Sequence, residues 1–234
     1  MKNAGAGAPA NMPSGFLFQD QNGIACTVYV PRDVEPIGTL VFLHGSGECG
    51  SNGTLQLTVG LPRWLMLQPQ RWPFAVVIPQ KPEQDRPWLD YHDAVLGHLD
   101  RSVEAFGLDA RRVALTGLSQ GGNGAFQIGA RAASRFRAVV PVCGFAEFNF
   151  RNPSDRAGHV ERIADALGAT PMRIYHGEAD TVVPAQESVD IHAALQARGS
   201  NALLELYPGV GHNAWDLAYG DSDMAEWLAE LLAS

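Results

Sequence analysis

An α/β domain built on a mostly parallel central sheet, with helices on both faces, is the architecture expected of these 234 residues. Three observations predict it. Most of the apolar runs are continuous rather than alternating, as strands buried on both faces of a parallel sheet require. Between them lie patterns with apolar residues three and four apart, the signature of amphipathic helices. The regular exchange of the two patterns along the chain places helices on both sides of one sheet.

The opening "MKNAGAGAPANMPSG" mixes small residues with proline and predicts a frayed tail over 1–13, leaving one domain over 14–234. "FLFQDQNGIACTVYVP" alternates around Asn22-Gly23, a pair favoured in two-residue turns, so an antiparallel hairpin precedes the parallel strands. The core strands are read from "TLVFLHG", "FAVVIPQ", "RVALTGLS", "FRAVVPVCG", "MRIYHGEAD" and "ALLELYPGVGH". Val95, Leu99, Val103 and Phe106 recur at helical spacing before Gly107. A second helix, "AQESVDIHAALQARG", is stopped by Gly199, and a third carries Met224, Trp227, Leu228, Leu231 and Leu232 behind the capping candidates Asp221 and Ser222. Residues 145–171 lack a clear pattern and are expected to hold a loop and one short helix, so any lid is minimal. Leu55, Leu57 and Leu61 are read as surface apolars of a homodimer face or a pocket wall.

Composition narrows the function. Hydrophobic residues at 46% and charged residues at 18% describe a soluble globular chain. A formal net charge of -8 opposes nucleic acid, which needs basic surface, and an anionic membrane. No apolar run approaches the roughly 20 residues that span a bilayer. The start lacks the apolar region of a signal peptide, which predicts a cytoplasmic protein, with a trimmed exported form as the alternative. Cys26, Cys49 and Cys143 are odd in number and scattered, so reduced thiols are expected.

Chemistry gathers around "LTGLSQGGNGAF". In an open α/β sheet, function collects at the carboxyl ends of strands, and Ser119 stands there at the head of a glycine-rich helix. Read alone, Ser119 is as well a turn residue as a nucleophile, because a hydroxyl attacks only when a base takes its proton. His212, after the last strand, is the candidate base. Asp180, closing the strand before it, is the candidate acid that orients the imidazole. Each has a bland reading, His212 as a loop brace and Asp180 as a helix cap. Together they follow the chain order nucleophile, acid, base at three strand ends. The oxyanion is expected to meet the N–H of Gln120 and that of Ser46 in "HGSGECG", with Gly47 as the nearest alternative. That loop lacks the spacing of a phosphate-binding motif.

With these residues in place the sequence resembles the α/β-hydrolase superfamily. Within it, the sequence is similar to the bacterial group labelled predicted peptidases or phospholipase/carboxylesterase-like proteins, relatives of feruloyl esterases and acyl-protein thioesterases. "LHGSGE", "VIPQ" followed by Trp88, "VALTGLSQGGNGAF", "PVCG", "HGEADTVVP" and "YPGVGHNAWDLAY" carry the likeness, from about Leu40 to Trp227. The resemblance implies the same roles for Ser119, Asp180 and His212. It also implies an arginine where this chain has Cys49, a departure that alters the charge beside the oxyanion loop.

Trp88, Trp215, Phe148 and Phe150 are candidates for an apolar substrate pocket, and Gly47 is a further candidate for binding substrate. Glu178 and Asp216 are rival acids. His44 and His176 are read as loop braces, and no clustered ligands suggest a metal or any cofactor. The expected activity is a serine carboxylic-ester hydrolase acting through an acyl-enzyme on small-molecule esters with short acyl or feruloyl-like aryl groups. Thioester and small-peptide hydrolysis by the same residues are the alternatives, and a non-catalytic binding protein is the rival of a different class.

Overall fold

The computed structural model describes residues 14–21 and 23–234. The expected tail over 1–13 and the Asn22 half of the turn lie outside the described residues. Strands β1 (Gly15–Gln21) and β2 (Ile24–Val30) pair antiparallel with Gln21 opposite Ile24. Gly23 takes a φ of 90°, a conformation that costs glycine little.

Six further strands complete one sheet: β3 (Thr39–Leu43), β4 (Ala75–Gln80), β5 (Val113–Leu118), β6 (Ala138–Val142), β7 (Arg173–Gly177) and β8 (Leu203–Tyr207). Their spatial order is β1-β2-β4-β3-β5-β6-β7-β8, antiparallel across β1/β2 and β2/β4 and parallel from β4 onward. Every residue of β3 to β6 is buried, which accounts for their unbroken apolar runs, and β2, whose sequence reads as alternating, is buried throughout as well. The last strand differs. At the sheet edge, β8 alternates between exposed and half-buried residues, with Leu203 open to solvent.

Helices cover both faces. On one lie α2 (His92–Phe106), α3 (Gln120–Arg131), α4 (Arg156–Leu167) and α5 (Gln186–Gln196). They bury Val95, Leu99, Phe126, Ile163 and Ile191 in a common core. On the other lie α1 (Leu61–Leu67), the single turn α6 (Trp215–Ala218) and α7 (Ser222–Ala233), burying Leu61, Leu65, Ala218, Met224, Leu228 and Leu232. The Asp221 side chain caps α7 by accepting from the Asp223 N–H at 3.2 Å. Gly107 ends α2 in the left-handed region, while α5 stops at Gln196, three residues before Gly199.

Leu61 overturns one expectation. It is fully buried in the core, so it serves neither a dimer face nor a pocket wall; Leu57 packs partly against the same core, and Leu55 stays exposed. The pattern over 145–171 resolves into a loop followed by α4. Cys26 and Cys143 are buried free thiols and Cys49 is a half-buried one.

The strand order positions the site. The chain leaves β3 toward β4 on one side and returns to β5 on the other, so the carboxyl ends of β3 and β5 lie together with Leu43 opposite Gly117. That reversal opens a crevice between the loop after β3 and the turn after β5.

Candidate active site

Ser119 joins β5 to α3 with φ 54° and ψ -117°, a region that a residue with a Cβ seldom enters. Its N–H is held by the Val142 carbonyl at 2.9 Å and its own carbonyl accepts from the Asn123 N–H at 3.0 Å. The flanking glycines answer to crowding. A Cβ on Gly117 would sit 2.3 Å from the Gly121 carbonyl oxygen, and one on Gly121 only 1.9 Å from that of Leu43. The strained turn therefore falls on the serine itself, and the glycines let two strands and a helix close around it.

His212 lies beyond β8. Its Nε2 is 2.9 Å from Ser119 Oγ and its Nδ1 is 2.7 Å from Asp180 Oδ2. A proton on Nδ1 facing the carboxylate leaves the Nε2 lone pair for the serine hydroxyl, which then donates. Asp180 is anchored on its other oxygen: Oδ1 accepts from the Val182 N–H at 2.8 Å and the Val183 N–H at 3.0 Å. It is not the cap of α5, which begins at Gln186. Of the rival acids, Glu178 is exposed, and Asp216 contacts Asn213 rather than the imidazole.

His176 does more than brace a loop. Its Nε2–H donates to the Val183 carbonyl at 3.0 Å and lies 3.3 Å from Asp180 Oδ2, while the Ser188 hydroxyl donates to Nδ1 at 2.7 Å. Burial holds this imidazole below its ordinary pKa. It therefore presents a neutral N–H to the carboxylate that orients His212. Nothing in a lone His-Gly pair at a strand end announces that contact.

Ser46 begins a short 3₁₀ turn (Ser46–Glu48) and Gln120 begins α3. The first N–H groups of a helical turn have no acceptor within it. Both residues line, with Ser119, a cleft of about 400 Å³. Phe145, Phe148 and Phe150 from the loop after β6 form an aromatic wall of that cleft. Gly47, expected to bind substrate, is exposed and lies outside this lining.

Trp88 is likewise displaced from its expected role. It is completely buried, its indole N–H donates to the His44 carbonyl at 3.0 Å, and its ring meets the His44 ring edge-on at 4.9 Å. A buried carbonyl needed a donor, and the indole supplies it from the core rather than from the pocket. Trp215 sits edge-on to the His212 imidazole, 5.3 Å between centroids, and steadies that ring without lining the cleft.

The last residue of β4, Gln80, and Lys81 directly after it hold the loop after β3. Gln80 Oε1 accepts from the Gly53 N–H at 2.7 Å, and its Nε2 donates to the Glu48 carbonyl at 3.0 Å. The Lys81 N–H donates to His44 Nε2 at 2.9 Å, and His44 Nδ1–H donates to the Gly45 carbonyl at 2.6 Å. Burial pulls the His44 pKa down to about 4. Burial also pushes the Glu48 carboxyl and the Cys49 thiol up, with Lys81 opposing the rise at Cys49.

An eight-stranded, mostly parallel sheet with helices on both faces and a serine at the strand-to-helix elbow defines an α/β-hydrolase fold. Over residues 86–218 the sequence matches the dienelactone hydrolase family, and the chain belongs to that family. It is similar to acyl-protein thioesterase 1 of Gibberella zeae, 25% identical over 53% of this chain and 48% of that one. It is also similar to a probable inactive carboxylesterase of Oryza sativa, 24% identical over 82% of this chain and 84% of the other. Among solved structures, a thermostable esterase matches with a TM-score of 0.74 and 26% identity, over 92% of this chain and 63% of that one. The matched region thus spans about half of the thioesterase and under two thirds of the esterase chain.

Proposed function

We propose that the protein is a serine carboxylic-ester hydrolase that works through an acyl-enzyme on short-chain or aryl esters. One observation carries the reading: the unbroken hydrogen-bonded series Ser119, His212, Asp180 opens onto a cleft that also receives the Ser46 and Gln120 positions. His212 takes the Ser119 proton as Oγ attacks the ester carbonyl. The N–H groups of Gln120 and Ser46 meet the oxyanion, and one such donor is worth roughly 3–4 kcal/mol in the transition state. The imidazolium, steadied by Asp180, passes its proton to the departing alcohol, and water then repeats the attack to free the acid.

The cleft is small and walled by aromatic rings, which supports short or aryl acyl groups over long alkyl chains. Thioester hydrolysis is the second reading, favoured by the likeness to an acyl-protein thioesterase. The test is hydrolysis of p-nitrophenyl butyrate by wild type and by Ser119→Ala, with matched thioester and amide substrates alongside. Loss of activity in a variant with an unchanged circular dichroism spectrum is the expected result. Activity that survives Ser119→Ala would return Ser119 to a turn residue and remove the mechanism.

A further inference from the structure

We propose that Lys81 is a positioning residue for this reaction, holding both oxyanion donors in place and setting a buried positive charge behind them. The proposal rests on the esterase reading and adds a residue to it. Lys81 directly follows β4 and its side chain lies wholly inside the protein.

Its two halves grip two different parts of the site. The ammonium donates to Gln120 Oε1 at 2.8 Å and to the Arg86 carbonyl, while Gln120 Nε2 donates to the Gln84 carbonyl at 3.0 Å. The Gln120 side chain is thus fastened at both ends to residues 81–86, which fixes the head of α3 where its N–H is presented. The backbone of Lys81 holds the other donor. Its N–H donates to His44 Nε2 and its carbonyl accepts from the Gly50 N–H at 3.0 Å, clamping both ends of the loop that carries Ser46. One residue therefore sets the spacing between the two N–H groups.

The charge has a separate consequence. Among the described residues no carboxylate lies within ion-pair distance of Lys81; its ammonium faces two neutral oxygens and the Phe148 ring, 5.7 Å from the ring centre. Glu83, Asp85 and Asp90 act on the ammonium only from beyond ion-pair distance, so this buried cation is incompletely compensated, at a cost, in the resting enzyme. Negative charge developing on the nearby carbonyl oxygen relieves that cost, so the interaction strengthens on the way to the transition state. Lys81 thus brings a cation beside the loop after β3, where it acts on the Cys49 thiol.

The experiment compares wild type, Lys81→Met, Lys81→Arg and Gln120→Leu on p-nitrophenyl butyrate, with Ser119→Ala as the blank. Each is also titrated with an alkylboronic acid, whose adduct on Ser119 carries the negative charge of the tetrahedral state. Removing an oxyanion donor outright costs about 10²–10³-fold, so a residue acting through the donors is expected to cost about 10-fold or more in kcat. KM should stay close to wild type, boronate affinity should fall by the same factor as kcat/KM, and Lys81→Arg should recover most of the loss. Gln120→Leu keeps the backbone N–H but loses the anchored amide, and decides the matter if Lys81→Met does not fold. An active wild type beside Lys81→Met and Gln120→Leu variants with unimpaired kcat and boronate affinity would overturn this proposal alone. A wild type without Ser119-dependent hydrolysis would instead sink the esterase reading, and this proposal with it.

Discussion

Acid should loosen this fold through His44, and the size of the effect can be worked from its surroundings. The imidazole is fully buried, accepts from the Lys81 N–H and donates to the Gly45 carbonyl, leaving no site for a second proton. Its pKa falls from the ordinary 6.5 to about 4 when the chain folds. Because the folded value is the lower one, the unfolded chain takes up the proton first. Stability is then complete above the unfolded pKa and declines as pH falls toward the folded one. The full gap corresponds to about 3 kcal/mol, of which about 2 kcal/mol is lost between about pH 8 and pH 5. His98 and His176 are also pushed down by burial and slope the same way, so wild type alone cannot isolate His44. His44→Gln can, since glutamine keeps one donor and one acceptor but binds no proton in this range. Urea unfolding of both proteins at the two pH values should show the variant losing about 2 kcal/mol less than wild type. Equal losses would mean that His44 does not titrate as its burial demands, and the argument would fail.

Two further changes separate roles that the site assigns. Asp180→Asn keeps an oxygen for the Val182 and Val183 N–H groups but no longer fixes the His212 tautomer, so kcat should fall by about 10²- to 10⁴-fold with the melting temperature little changed; a large drop in melting temperature with proportionate activity would make the residue a loop cap only. Trp88→Phe removes the donor to the buried His44 carbonyl and should cost roughly 1–3 kcal/mol in urea unfolding without altering KM; an altered KM at unchanged stability would restore Trp88 to the substrate pocket.

Much of the fold was legible because the strands that matter are central. Burial of every residue in β3 to β6 leaves continuous apolar runs, and the helices between them keep a clear apolar stripe. The N-terminal hairpin announced itself through alternation and through Gly23. The helix α1 was hidden for a physical reason. Its seven residues, "LPRWLML", are too few to display a period, and after Gln68 they run straight into a 3₁₀ turn over Pro69–Arg71. Pro62 in its first turn is a helix-start signal that would have found it and moved Leu61 from the surface to the core.

The site divides along a similar line. Residues that a strand end must present, such as Ser119, Asp180 and His212, leave a trace in chain order, because each follows its own apolar run. Residues that act by reaching across the crevice leave no trace of their contacts, even where, as with Gln80 and His176, they fall inside a motif. Lys81, His176 and Gln80 are single polar residues at strand ends, and only the packing of the strands decides what lies opposite them. Trp88 shows the converse error, since a large aromatic near a site is read as a pocket wall until its N–H is seen to answer a buried carbonyl. The aromatic wall belongs instead to Phe148 and Phe150, and the reason lies in the base of their loop. Glu147 ties that loop to itself by accepting from the Ser154 hydroxyl at 2.7 Å and from the N–H groups of Ser154 at 2.8 Å and Asp155 at 3.0 Å, and these bonds, the hydroxyl's first, pull its carboxyl down to about 2. Glu187 on α5 holds the segment just before it through the Ala146 N–H at 3.2 Å. A loop closed in this way can place two phenyl rings over a cleft without a second domain, so the pocket wall is built by the same polar ties that made its sequence look patternless.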